Sequence, residues 1–248
     1  MRTGGAVRAT RKPGHLLVEL VGEGTRNALT PELVAALHGV LDRAEADPDC
    51  RLVVFAATGE AFCAGSHLAQ LDAERFRGLS TGFWELLRRI SGSRLPAVAL
   101  VEGWAAGGGV GLAAACDVVI AAPPVTFRLT EVCFGMLPTI VMPWVARRVG
   151  EHRALRLALL AERLTAADAQ RCGLVDVVDD APRQALRRVL AAVRRSDRDT
   201  LGDLKDVHRV LFPVDNRYGL LAERVFGARI DDPKVSARIR ALVEEGLL

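Results

Sequence analysis

The sequence predicts an α/β core followed by a helical C-terminal region, and three observations predict it. Short apolar runs of strand length alternate with amphipathic helical stretches up to about Val178. Glycine-rich turns sit where two of the strands run toward helices. From Ile140 onward helical periodicity dominates, and it continues alone from about Thr200, broken near Pro213 and Pro233. The predicted division is a core over residues 1–195 and a helical region over 196–248.

Each element follows from its residues. His15 to Leu20 reads as a strand. Thr30-Pro31-Glu32 opens a helix in which Thr30 caps, Pro31 occupies the first turn, and Leu33, Leu37 and Leu41 form the apolar stripe. Leu52 to Ala57 has the continuous apolar character of a buried strand. A helix then carries Phe83, Leu86, Leu87 and Ile90 on one face, and Ala97 to Val101 returns as a strand. Val118 to Ala121 and Thr126 to Leu129 are further short strands. Helices follow to Gly150, over Glu151 to Ala161, Thr165 to Arg171 and Ala181 to Arg194, with Leu174 to Val178 as one strand between them. Three helices complete the chain.

Composition narrows the function. With 248 residues, 50% hydrophobic and 25% charged, the chain suits a soluble globular protein with one substantial core. A net charge of +3, with arginines scattered among acids, predicts solvated helix faces and no nucleic-acid partner. Five widely spaced cysteines contain no Cys-x-x-Cys pair, which predicts reduced thiols, no metal site and a cytoplasmic protein. The basic N-terminal stretch lacks a signal-peptide core, and no apolar run suits a membrane span.

The segment Gly103 to Asp117, GWAAGGGVGLAAACD, carries the chemistry. A glycine-rich turn entering a helix leaves backbone N–H groups unpaired at the positive end of the helix dipole, with no side chains to hold a ligand away. Such a turn holds negative charge. The ligand could be a pyrophosphate, since Gly109-Val110-Gly111-Leu112-Ala113-Ala114 matches the Gly-x-Gly-x-x-Gly/Ala nucleotide pattern with Glu131 downstream. Against that reading, Glu102 to Ala106 separate the predicted strand from the glycines. The ligand could instead be an oxyanion formed during reaction, or the glycines could serve close helix packing alone.

A second loop, Gly59-Glu60-Ala61-Phe62-Cys63-Ala64-Gly65-Ser66-His67-Leu68, also follows a strand and runs toward a helix. Two such loops can aim two N–H groups at one acyl oxygen. Together with Phe127-Arg128-Leu129-Thr130-Glu131-Val132-Cys133-Phe134-Gly135, Arg26-Asn27-Ala28-Leu29-Thr30, and Leu164 to Ala169 followed by Gly173-Leu174-Val175-Asp176, the pattern resembles the crotonase (enoyl-CoA hydratase/isomerase) superfamily over about residues 10–195. The resemblance implies a crotonase-like spiral of β-β-α units. It also implies an oxyanion hole from the N–H groups of Ser66 and Gly108, and a catalytic Glu131. The family's second glutamate falls at Gly111, so the chain looks like a one-glutamate member.

A water held between two carboxylates is then out of reach, whereas one carboxylate can still move an α-proton beside an oxyanion hole. In an apolar pocket Glu131 would hold a raised pKa. The run Thr130 to Pro138, then Val141-Met142-Pro143-Trp144-Val145-Ala146-Arg147-Arg148-Val149-Gly150, is similar to the polyketide β-branching dehydratases, which also carry Gly at the position of Gly111. Common hydratases are glycine-rich where this chain has Thr139, Ile140 and Val141. The resemblance implies dehydration of 3-hydroxy-3-methylglutaryl on an acyl carrier protein to the 3-methylglutaconyl form. The substrate itself rides on coenzyme A or phosphopantetheine, with no further cofactor. The alternatives are an isomerase or hydratase on CoA thioesters, and a weakly catalytic partner subunit of a hetero-oligomer.

Around these residues, Ala64, His67, Gly107, Gly111, Arg128 and Leu137 are candidate substrate contacts. His67 could instead cap or face solvent, and Arg128 could be a sheet-edge arginine. Trp104 and Phe83 read as core or pocket lining, Cys63 and Cys133 as packing residues, and Asp117 as architectural. Lys205 and Arg209 could meet a phosphate of the carrier arm. By the same resemblance the protein forms homotrimers or pairs of trimers, with the C-terminal helices covering the site or mediating contact.

Overall fold

A computed structural model describes residues 2–3, 7–66, 73–211 and 213–245. Seven strands form the main sheet in the order β1-β2-β3-β4-β6-β8-β11: β1 (Arg2–Thr3), β2 (Val7–Lys12), β3 (His15–Leu20), β4 (Leu52–Ala57), β6 (Ala97–Val101), β8 (Val118–Ala121) and β11 (Val177–Val178). From β3 to β11 neighbouring strands pair in parallel, as strands separated by helical crossovers do. Both faces of this sheet are covered. Along β4, Val53 and Phe55 face the large core under α1 (Pro31–Ala46), α2 (Ala73–Gly92) and α3 (Gly108–Ala115), while Leu52, Val54 and Ala56 face a smaller cluster under α7 (Pro182–Val193). Burial on both faces explains why β4 reads as an unbroken apolar run.

A second sheet is new to the structure. Its order is β10 (Leu164–Thr165), β9 (Thr126–Arg128), β7 (Trp104–Ala106), β5 (Ala61–Cys63). The sequence reading has no β5 or β7, because three residues are too few to show a period. With β7 a strand does end directly at the glycines, at Ala106, where the sequence predicts a separation over Glu102 to Ala106. The antiparallel β2 is likewise absent from the sequence reading, hidden in the basic N-terminal stretch. The predicted strand Leu174–Val178 shrinks to β11, because the N–H groups of Leu174 and Val175 both close back onto Ala169 O at the end of α6 (Ala166–Arg171).

Polar contacts fix the helix ends that matter. Thr30 Oγ1 accepts from Leu33 N at 3.1 Å, the predicted cap of α1. Arg148, in α4 (Met142–Val149), donates to Ala114 O and Cys116 O at the C-terminus of α3 and pairs with Asp176 at 3.1 Å. A cation at that end complements the helix dipole, and the carbonyls it meets have no intrahelical donor. Asp117 Oδ2 accepts from Ala97 N at 2.7 Å and from Lys205 Nζ at 2.6 Å, which joins β6 to the C-terminal helices.

Three such helices follow α5 (Glu151–Leu160), α6 and α7: α8 (Arg198–Leu211), α9 (Asn216–Ile230) and α10 (Pro233–Glu244). They fold back on the core. Ala222, Phe226 and Val235 belong to the same apolar cluster as α1–α4. The Tyr218 ring stacks on Trp84 with centroids 5.9 Å apart, and its hydroxyl donates to Thr139 O at 2.8 Å.

Candidate active site

The site grows from the N-terminus of α3. Gly107 has φ +50° and donates its N–H to Arg128 O at 2.9 Å. The next two glycines permit close approach. A Cβ on Gly108 would lie 2.3 Å from Leu29 Cδ1, and one on Gly109 would lie 2.1 Å from Cys63 O. The second contact is with backbone and cannot be relieved by a rotamer change. Gly109→Ala should therefore destabilise the protein by about 3 kcal/mol, read as a fall in thermal midpoint. Gly78→Ala, on an open face of α2 with nothing within 4 Å, should instead raise stability by about 0.5–1 kcal/mol.

The second loop meets the first at Gly65, which has φ +82°. A Cβ on Gly65 would lie 3.1 Å from Ala106 O and 3.4 Å from Gly108 N, so the two glycine loops touch. Residues 64–66 are held from the other side by Ala64 N donating to Arg26 O at 3.1 Å and Leu29 N donating to Gly65 O at 2.7 Å. Behind them Asn27 is 2% exposed with φ +54°. Its Nδ2 donates to Thr58 O and Ala61 O, and its Oδ1 accepts from Gly22 N. Asn27 thus positions the strand that enters the Ser66 loop, a role the sequence reading does not assign. The residue type is the one signal the sequence holds, since Asn is enriched at left-handed φ. Among the described residues, neither Ser66 N–H nor Gly108 N–H is spent on a turn, sheet or side-chain acceptor.

Both residues line one cavity of about 110 Å³. Glu131 enters it from the 3₁₀ turn Glu131–Phe134 that follows β9. Its carboxylate rests against Gly107, with Oε1 3.1 Å from where a Cβ on that glycine would stand. Although the residue lines the cavity, Oε2 is sealed from solvent and has no partner among the described residues. Burial pushes its pKa from the ordinary 4.5 to about 7, while the backbone at Glu131 and Thr130 pulls weakly the other way. Glu131 is the one titratable group among the described lining residues.

The remaining walls are largely apolar. Phe76, Leu79, Ser80 and Phe83 present one face of α2, Met136, Leu137, Pro138, Ile140 and Val141 form the far wall, and Phe226 of α9 packs on Phe76 with ring centroids 5.1 Å apart. Gly111 does not line the cavity. A Cβ there would fall 2.2 Å from Val141 Cγ1, so the valine occupies the space a side chain at 111 would need.

Among the sequence candidates, Ala64, Ser66, Gly107, Gly108, Glu131 and Leu137 meet in this cavity, as does Phe83. Arg128 does not: its Nε donates to Ala161 O at 2.7 Å, capping the carbonyl end of α5, which uses the side chain structurally. Gly111 as a substrate contact is corrected for the reason just given. Lys205 and Arg209 are turned to Asp117 and to Gly92 O and Asp206, not to this cavity. Cys63 is buried with its thiol pushed up to about 12, as suits packing. His67 lies outside the described residues. Among the described residues no group of His, Cys, Asp or Glu is arranged to hold a metal, and no helix is long and apolar enough to cross a membrane.

The arrangement can hold a carbonyl oxygen between two N–H donors while one buried carboxyl exchanges a proton nearby. The nucleotide reading fails here, since Gly111 packs against Val141 and a carboxylate rests at Gly107 where a pyrophosphate would lie.

Comparison with known proteins agrees. The family model for enoyl-CoA hydratase/isomerase matches residues 14–206. A Thermus thermophilus protein named provisionally as an enoyl-CoA hydratase is 37% identical over 170 residues, covering 66% of this chain and 67% of that one. The crystal structure of an enoyl-CoA hydratase from Mycobacterium avium superposes with a TM-score of 0.86 at 28% identity, covering 98% of each chain. A Bacillus subtilis protein named provisionally as a polyketide biosynthesis enoyl-CoA hydratase superposes at 0.91, covering 99% of this chain and 100% of that one. At 23% identity that last likeness is one of fold. The chain belongs to the enoyl-CoA hydratase/isomerase family and is an enzyme of the lyase type.

Proposed function

We propose that the protein eliminates water from a 3-hydroxyacyl thioester with Glu131 as the acid–base group. The observation that carries this reading is Val141 packed into the space beside Gly111, where a second carboxylate would have to start. Glu131 takes the α-proton while the thioester oxygen, held by Ser66 N–H and Gly108 N–H, carries the developing negative charge. The same carboxyl then protonates the departing 3-hydroxyl, and the C–O bond breaks to give the 2-enoyl thioester and water. A pKa near 7 lets one group serve in both directions. The resemblance of Thr130 to Gly150 to the β-branching dehydratases supports 3-hydroxy-3-methylglutaryl on an acyl carrier protein as the substrate and 3-methylglutaconyl as the product, and the tertiary C3 of that substrate favours loss of water.

One observation favours a second reading. Among the described lining residues no cation faces Glu131 or the apolar walls, so the cavity also suits an uncharged chain whose double bond Glu131 shifts from C3 to C2. Purified protein given 3-hydroxy-3-methylglutaryl carrier protein, its coenzyme A counterpart and a 3-enoyl thioester, followed by mass spectrometry, separates the two. Turnover of the 3-enoyl substrate alone would reject the dehydration. Because α-proton removal needs ionised Glu131, kcat/KM should rise through pH 7 and level above it.

Trimers or paired trimers belong to the same reading. Exposed Leu155, Leu159 and Leu160 on α5, with Leu204, Val207, Val210 and Leu211 on α8, offer apolar surface for the contact. Sedimentation should give three or six times the chain mass of 26.7 kDa.

A further inference from the structure

We propose that Ser80 is a specificity-determining residue whose hydroxyl binds an oxygen-bearing substituent on the acyl chain, so that the cavity selects oxygenated acyl groups over plain hydrocarbon ones. This rests on the thioester reading above and deepens it.

Ser80 stands out because of where its polarity falls. On α2 the residues Phe76, Leu79, Ser80 and Phe83 recur at helical spacing and all line the cavity. Three are apolar. Ser80 is 7% exposed, and its Oγ is sealed from solvent with no hydrogen-bond partner among the described residues. A helical serine often satisfies itself on a carbonyl of the preceding turn, and this one does not. A buried hydroxyl without a partner is costly, so an alanine would serve the empty cavity better. The hydroxyl is justified once its χ1 rotor turns Oγ toward the cavity and a ligand supplies its partner.

Its position indicates which part of the ligand. A Cβ on Gly108 would lie 3.3 Å from Phe83 Cε1, so Phe83 marks the level of the proposed oxyanion hole along α2. Ser80 is three residues earlier, roughly 5 Å along the helix axis toward Phe76 and Phe226. That separation matches an acyl substituent a few bonds from the carbonyl. Serine can donate to a carboxylate or ether oxygen and can donate to or accept from a hydroxyl, so either a hydroxyl or a distal carboxyl would satisfy it. Sites built around a buried polar group reject analogues that leave it unpaired far more strongly than apolar pockets reject an added methylene.

The test compares wild type with Ser80→Ala and Ser80→Thr on two 3-hydroxyacyl thioesters of equal chain length, one carrying a further oxygen substituent on the acyl chain and one ending in plain hydrocarbon. Ser80→Ala should lower kcat/KM for the oxygenated substrate about 10- to 100-fold and change the hydrocarbon substrate less than threefold, while Ser80→Thr retains the preference. The free Ser80→Ala protein should melt no lower than wild type. Equal losses on both substrates would mean that Ser80 contacts the common thioester arm, and would overturn the inference, as would no change on either. A wild-type protein inactive on every thioester would instead reject the reading beneath it.

Discussion

Replacing Glu131 by Gln is expected to lower kcat/KM by about 10²- to 10⁴-fold, because no other titratable side chain among the described residues lining the cavity can take its place. The amide keeps the shape and removes the proton exchange. The same change should act on stability with the opposite sign. Because the folded pKa of Glu131 is raised, its contribution to stability is fully present below about pH 4.5 and is lost as pH rises through about 7. Glutamine removes that loss. Urea unfolding of the two proteins should therefore coincide below about pH 4.5, diverge as pH rises toward 7 and differ by a constant amount above it, with Glu131→Gln more stable by at most about 3 kcal/mol. A variant that loses activity and is also less stable at pH 8 would contradict the assignment of a buried carboxylate with a raised pKa. A mere scaffold would show the stability change without the kinetic one.

The second large effect is expected at Gly111. With Val141 Cγ1 2.2 Å from the new Cβ, Gly111→Ala should cost about 1–3 kcal/mol through overpacking. Opening the neighbour should repair it. In a double-mutant cycle with Val141→Gly, measured by chemical denaturation, the coupling energy should reach about 1–3 kcal/mol in the favourable direction. The chemical version is Gly111→Glu combined with Val141→Gly. Val141→Gly provides room where the second carboxylate would begin, and the pair should hydrate an unbranched 2-enoyl thioester faster than either single variant. Independent, additive costs at the two positions would reject the contact as the reason for the missing carboxylate.

The contrast between Gly111 and Ser80 shows what could be read in the sequence. Demands that act through one stretch of backbone were legible: the helix opened by Thr30 and Pro31, and the glycine-rich turn that enters α3. Glu131 was legible because its surrounding motif repeats a known pattern. What depends on a partner distant in the chain was not. Val141 lies thirty residues from the glycine it fills, and the sequence shows only that glycine is absent from Thr139 to Val141. Ser80 looks like an ordinary residue of an amphipathic helix until the fold seals its hydroxyl. Arg128 looked available to a substrate because nothing local announces Ala161 O as its acceptor. β5 and β7 escaped because three residues carry no period, although they set the two loops side by side.

The contact between Phe226 and Phe76 has a consequence for how such an enzyme can diversify. The family model matches up to residue 206, and Phe226 lies beyond that stretch. The proposed proton transfer and charge stabilisation thus fall within the matched stretch, whereas part of the ceiling over the cavity comes from α9, beyond it. Exchanging that segment between homologues would change which molecules are accepted while leaving the reaction itself intact.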